Sequence, residues 1–278
     1  MQENIVRECD RTDLPVGSPT GEVFRRLWLN PSFAIDAVKS LLLLISLGIT
    51  ACAPPESNNV PSVLLFNGTG TSPNDVNAVE RILKKRHLDY STVNSRQLNG
   101  MSQSQLMAHH LIIFPGGNFV AMGDGLVSKT TANLHNAVQG GLNYLGICAG
   151  GLLAGNASCD SLNLTAGVRF GFYAAANRGI HRAAVAIAGP GSPPLEQYWE
   201  DGPQFTGWGE VVGKYPDGTP AVVEGTSGKG WVILCGVHPE APARWRQGMT
   251  FTTLASDDNS YAAKLIDAAL NRTSLPHY

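Results

Sequence analysis

From Val60 onward the chain alternates short apolar runs with longer stretches whose apolar residues recur at helical spacing, the pattern of parallel strands joined by crossover helices. Val63–Phe66 (VLLF) is apolar at every position, as a strand buried on both faces must be, and it ends in the loop Asn67-Gly68-Thr69-Gly70-Thr71. Ser72-Pro73-Asn74-Asp75 reads as a helix start. Val76, Val79, Ile82 and Leu83 share one face of that helix, and Lys84-Lys85-Arg86 lie where the helix dipole favours positive charge. Asp89–Val93, Leu111–Phe114 and Leu142–Ile147 predict three more strands, with a short helix around Ser104–His109 and a longer one over Ser128–Gln139. Beyond them Gly167–Tyr173, Ala183–Ile187, Glu210–Tyr215, Ala221–Glu224 and Gly230–Cys235 read as strands joined by turns, and Tyr261–Asn271 as a closing helix. There is no internal repeat and no second linker, so residues 60–278 are expected to form one α/β domain.

The N-terminal part follows another pattern. Leu41–Ala51 is an apolar run of eleven residues, against the ~20 a membrane-spanning helix needs. Arg25, Arg26 and Lys39 precede it, and Ile49-Thr50-Ala51-Cys52 follows. Positive end, apolar middle and small-residue cleavage site are the order of a secretory signal. The segment ITAC resembles a bacterial lipobox, which implies a lipid on Cys52 as the first mature residue; a buried core helix is the other reading of such a run. The polar, Pro-rich stretch from Ala53 to Asn59 favours the lipobox, because it suits a tether. The expected organisation is therefore an upstream extension without pattern over 1–37, a lipoprotein signal over 38–51 and a tether over 52–59. The product would be lipid-anchored in the cell envelope, at the outer membrane and facing the periplasm, with Ala53 following the lipidated cysteine. If Val38 were a GTG start codon, the leader would be an ordinary short one.

Composition narrows the function classes. Hydrophobic residues make up 43% of the 278 and charged residues 15%, and the formal charge is −2. This is a globular chain with no polybasic surface for nucleic acid. Five cysteines, Cys9, Cys52, Cys148, Cys159 and Cys235, contain no CxxC pair, so neither a disulfide framework nor a zinc ribbon follows. His109-His110 lack carboxylates at metal spacing, and Gly68-Thr69-Gly70 lacks the third glycine of a dinucleotide loop; no metal or cofactor is expected.

Two places combine able chemistry with the local structure to expose it. Gly146-Ile147-Cys148-Ala149-Gly150-Gly151 lies between an apolar strand and a small-residue helix, where strained backbone demands small neighbours and a helix N-terminus favours a thiolate. Val237-His238-Pro239-Glu240 follows the strand ending at Cys235 and supplies a base and a carboxylate to orient it. Alone, a strand cysteine is more often a small buried hydrophobe, and HxE is common. Cys235, Cys159, His181 and the aromatics Trp199, Phe205 and Trp208 are expected to be packing or loop residues.

Together, about ninety residues apart in an α/β chain, these motifs resemble the class I glutamine amidotransferase-like superfamily, with its GxCxG elbow and C-terminal HPE. The closer resemblance is to the domain at the N-terminus of eukaryotic biotin-protein ligases, which also occurs alone in bacteria. Phe114-Pro115-Gly116-Gly117-Asn118, the stretch from Tyr198 to Phe205 and Gly228-Lys229-Gly230 support it. The resemblance implies a flavodoxin-like, doubly wound and mostly parallel sheet with helices on both faces. It further implies a Cys148-His238-Glu240 triad acting on a small-molecule or peptide amide, with Gly116, Gly117, Asn118 and Ala149 around the oxyanion and substrate. Leu152 departs from the glutamine-hydrolysing pattern, which carries Gln four residues after the nucleophile. No stretch of these residues reads as a synthetase or biotin ligase catalytic domain, so biotinylation is not expected of them. A non-catalytic binding module on the same scaffold is the alternative, and no partner protein is indicated.

Overall fold

A computed structural model describes residues 60–157, 161–173 and 178–278. The expected leader, lipidation cysteine Cys52, tether and Cys159 lie outside these residues. Four apolar runs form parallel strands: β1 (Val63–Phe66), β2 (Tyr90–Val93), β3 (Leu111–Phe114) and β4 (Asn143–Ile147). Later strands are β5 (Gly171–Phe172), β6 (Arg182–Ile187), β7 (Leu195–Glu200), β8 (Pro203–Gln204), β9 (Glu210–Lys214), β10 (Pro220–Ser227) and β11 (Gly230–Cys235). The main sheet runs β2-β1-β3-β4-β11-β10-β9, parallel through β11 and antiparallel over the last two strands. The fold is the doubly wound, flavodoxin-like α/β architecture that the motifs implied.

Alternation within each strand divides the core. Val63, Leu65, Leu111, Ile113, Leu145 and Ile147 pack with residues of α1 (Pro73–Lys85) and α7 (Ala255–Asn271) on one face. Leu64, Phe66, Ile112, Phe114 and Tyr144 face residues of α5 (Ser128–Gly140) and α6 (Ala149–Ala154) on the other. Each such side chain removed from water contributes roughly 1.5–3 kcal/mol before ordering costs, which is why these strands read as unbroken apolar runs.

Several expectations need correction. The short helix expected around Ser104–His109 forms as α3 (Gln103–Leu106) and ends earlier, and an unexpected helix, α2 (Ser95–Gly100), precedes it; each opens on a capping box, Asn94 with Gln97 and Ser102 with Gln105. A further helix, α4 (Phe119–Asp124), starts from the Asn118 cap. The strand expected over Gly167–Tyr173 is only the two residues of β5, which pair with β8. β7 was not expected, and it forms a separate antiparallel ribbon with β6. The closing helix begins at Ala255, six residues before Tyr261, because its polar first turn with Asp257 and Asp258 conceals the periodicity. Among the described residues no helix is long and apolar enough to cross a membrane.

Because β1, β3, β4 and β11 are parallel, the segments following them leave from the same edge of the sheet. Asn67–Thr71, Pro115–Asn118, Cys148 and Val237–Glu240 therefore converge there, the edge where open α/β sheets place their sites.

Candidate active site

The turn from β4 into α6 is strained at Cys148, whose φ of 50° and ψ of −107° suit few side-chain-bearing residues. Neighbouring groups hold it there. The Cys148 N–H donates to the Cys235 carbonyl at 2.7 Å, and the Cys148 carbonyl accepts from the N–H groups of Gly151 and Leu152. A methyl group on Gly150 would collide with the Phe114 carbonyl, and one on Gly146 would come within 2.6 Å of the Gly150 carbonyl, so only glycine fits on either side of the elbow. The Cys148 thiol donates to the Glu200 backbone carbonyl at 3.6 Å, and the residue as a whole is 6% exposed.

β11 pairs directly with β4, Cys235 opposite Ile147, so the chain leaving β11 runs beside Cys148. His238 is anchored there by its N–H, which donates to the Tyr198 carbonyl at 2.8 Å, and by the rings of Tyr198 and Trp245, centred 5.8 and 5.9 Å from the imidazole. Its Nδ1 is 2.9 Å from Glu240 Oε1 in an aligned hydrogen bond. Asp75 Oδ1 comes within 3.0 Å of the same nitrogen but makes no aligned hydrogen bond. The Nδ1 proton is thus directed at Glu240, Asp75 adds charge, and Nε2 is left for other partners.

The electrostatics follow from this burial. Desolvation opposes charge on His238, yet its interactions with Cys148, Glu240 and Asp75 outweigh it and hold the imidazole protonated well above its usual range. Burial pushes the Glu240 carboxyl up, and His238 only partly offsets it. Burial also acts on Asp75, but there His238 prevails and the carboxyl sits below the usual aspartate range. Cys235, inside the core, is pushed up to about 12 by burial. Asp75, His238 and Glu240 have ligand atoms within 4.8 Å of one another. A cation there would have to displace the Nδ1 proton that the two carboxylates retain.

Asp75 is the residue that sequence reasoning missed. It lies in the first turn of α1, where its N–H donates to Ser72 Oγ, and an acid at that position reads as capping. Its real signal is position: the loop after β1 opens onto the site edge. Of the expected oxyanion residues, Gly116 packs so tightly against Asp75 and the His238 ring that a side chain would collide with both. The N–H groups of Gly117 and Ala149 make no hydrogen bond among the described residues. Asn118 instead caps α4, its Oδ1 accepting from the Ala121 N–H at 3.0 Å. Leu152 is buried in the core on the α5 side.

The remaining candidates behave as packing or loop residues. His109 is buried with Nδ1 2.7 Å from the Pro61 carbonyl, exposed His181 pairs with Asp201 at 3.0 Å, and Trp199 and Phe205 are fully buried. Outside Asp75 lies an open cleft of about 370 Å³, walled also by Arg182, Tyr198, Glu200, Arg244 and Trp245.

Residues 61–179 match the family described as "Biotin-protein ligase, N terminal". No curated protein matches the sequence. Among solved structures, a glutamine amidotransferase from Thermotoga maritima aligns at a TM-score of 0.52 and 13% identity, covering 77% of this chain and 98% of that one. A candidate GMP synthase subunit from Thermoplasma acidophilum aligns at 0.50 and 10% identity, covering 76% and 96%. An exo-β-1,4-mannosidase from Opitutaceae bacterium strain TAV5 aligns at 0.44 and 17% identity over 74% of this chain, which spans only 36% of that enzyme. The fold is that of the class I glutamine amidotransferase-like proteins, and the biotin-protein ligase N-terminal match lies within it.

Proposed function

We propose that the chain is a thiol hydrolase of amide or related carbonyl substrates, with Cys148 as nucleophile, His238 as acid and base, and Glu240 and Asp75 as positioning residues. The observation that carries this reading is Cys148 held at positive φ on a strand-to-helix elbow of β4, paired with β11, whose exit carries an imidazole with Nδ1 hydrogen-bonded to Glu240. That commitment leaves Nε2 to exchange a proton with sulfur or with a leaving group.

The Cys148 thiolate attacks the carbonyl carbon, forming a C–S bond and pushing the carbonyl electrons onto oxygen. The free N–H groups of Gly117 and Ala149 are suited to receive that oxyanion. As the tetrahedral adduct collapses, the C–N bond breaks and the departing nitrogen takes the Nε2 proton of His238. Water then gives a proton to His238 and its oxygen to the thioester carbon; the C–S bond breaks, releasing the acid and regenerating the thiolate. The two carboxylates beside the imidazole offset its burial and favour the protonated form that gives its proton to the departing nitrogen.

Lipid attachment at Cys52 and an outer-membrane location facing the periplasm belong to the same proposal, on the strength of ITAC after the apolar run. A second reading, a binding module without turnover, is favoured by one observation, Leu152 buried in the core where glutamine-hydrolysing relatives carry Gln. The deciding experiment presents the full chain with a panel of primary amides and peptide amides. Released ammonia or amine is measured, and intact mass is followed for a thioester on Cys148. Turnover or a thioester absent from Cys148→Ser supports the hydrolase; binding without either supports the module.

A further inference from the structure

α1 and α7 pack on the same face of the sheet, and between them runs a groove of about 430 Å³, within the size range of small-molecule sites. Each helix offers it one stripe at the same spacing: Ala78, Arg81, Ile82 and Lys85 from α1, and Ser260, Ala263, Lys264 and Asp267 from α7. Ala78, Ser260 and Ala263 are too short to fill the space between the helices, which leaves the groove open.

Its floor and its rim differ in chemistry. Ala78 and Ile82 are buried and Ala263 is partly buried, so an apolar surface lies recessed between the helices. Along the rim Arg81, Lys85, Arg86 and Lys264 are exposed. Asp267 holds Arg86 at 2.6 Å, and the other acid at the groove, Glu240, is buried and accepts from His238 Nδ1 at 2.9 Å. Arg81, Lys85 and Lys264 join no ion pair among the described residues. Three uncompensated positive charges thus surround an apolar trough, and both guanidinium and ammonium groups pair with anionic oxygens.

Glu240 borders this groove and is not among the walls of the cleft outside Asp75. Asn259 of α7, also on the groove, donates through Nδ2 to the Pro239 carbonyl at 2.9 Å and to the Ala241 carbonyl at 3.2 Å, clasping the turn that carries Glu240. A shift of Asn259 is therefore passed to the carboxylate that orients His238.

We propose that the groove binds a single-chain amphiphilic anion, its alkyl chain on the floor of Ala78, Ile82 and Ala263 and its head group among Arg81, Lys85 and Lys264. The occupant acts on Glu240 through Asn259. The floor lies below the cations, so a chain can lie in it, whereas a flat bilayer meets only the rim. Binding is read without turnover, so this site stands or falls apart from the thiol-hydrolase reading.

The test titrates octyl phosphate and decyl phosphate, each below its micelle concentration, into the full chain by calorimetry. Inorganic phosphate and octyl glucoside probe the head group and the chain separately. Decyl phosphate is expected to bind roughly four- to fifteenfold tighter than octyl phosphate, according to how fully its two extra methylenes are buried. Arg81→Gln and Lys264→Gln each weaken it about two- to fivefold, the effect of one exposed charge, and added salt does the same. Ala263→Leu fills the floor and abolishes binding, with thermal unfolding reporting that the variant is folded. In NMR the His238 ring signals shift with decyl phosphate in the wild type and not in Ala263→Leu. Affinity no greater than that of inorganic phosphate or octyl glucoside, or indifferent to all three substitutions, overturns the site. Binding that leaves the His238 signals unmoved overturns its action on Glu240. Phosphatidylglycerol vesicles that bind where decyl phosphate does not, with losses in Arg81→Gln and Lys264→Gln but none in Ala263→Leu, overturn the groove in favour of a membrane-facing rim.

Discussion

Asp75→Asn removes one negative charge 3.0 Å from His238 Nδ1 while keeping the side chain's shape and its place in the first turn of α1. Coulomb attraction at that distance is about 5 kcal/mol at an effective dielectric of ~20, and the cost of burying the carboxylate offsets part of it. An opposite charge this close typically moves a pKa by about 1–3 units, equivalent to roughly 1.4–4 kcal/mol at 1.36 kcal/mol per unit. The His238 imidazole of Asp75→Asn should therefore titrate about 1–3 units lower than in the wild type, as followed by its ring signals in NMR. Glu240→Gln should lower it as well, because it loses the aligned charged hydrogen bond. Stability follows the same linkage. His238, raised above 6.5, contributes stability that is full below 6.5 and lost as pH rises through its folded value. Asp75, lowered below 3.8, contributes stability present above 3.8 and lost as pH falls through its folded value. Asp75→Asn should flatten the acid limb of the stability profile and weaken the alkaline one. Unchanged His238 titration in Asp75→Asn, with an unchanged acid limb, would refute the idea that Asp75 acts on the imidazole.

Three further outcomes are expected. Gly150→Ala should destabilise the chain by about 1–3 kcal/mol, read as a lower denaturant midpoint, because the new methyl meets the Phe114 carbonyl. Arg246→Ala, which leaves Asp258 buried and unpaired, should cost about 3–5 kcal/mol by the same measurement and displace Trp245 from the His238 ring. Metabolic labelling with a fatty-acid analogue should mark the wild type and not Cys52→Ser; label persisting in Cys52→Ser, or absent from the wild type, would remove the lipid anchor from the account.

The central strands were legible because strands buried on two faces can be written only as apolar runs: VLLF and LIIF form where expected. The elbow was legible for a related reason, since Gly146 and Gly150 are dictated by close backbone approach and stand beside the residue they serve. β7 was not, because LEQYWE pairs with β6 in a half-exposed ribbon whose mixed polarity hides the period of two. Asn118 carried an ambiguous signal, a polar residue after a glycine pair, and its side chain serves as a cap. Asp75 was hidden by distance along the chain. Nothing within a few residues of it announces His238, 163 positions later, and only the parallel order of β1, β3, β4 and β11 brings the two together.

The most direct measurement of the central claim is the rate at which limiting iodoacetamide labels each cysteine of the full chain, with and without His238→Ala. Cys148 stands on the elbow at the site edge, on the strand next to the one whose exit carries His238, while Cys235 is fully buried with its thiol pushed up to about 12. The account predicts that Cys148 labels first, that His238→Ala slows it toward an ordinary thiol, and that Glu240→Gln slows it less. Cys148 labelling no faster than Cys235, at a rate indifferent to His238→Ala, would contradict it.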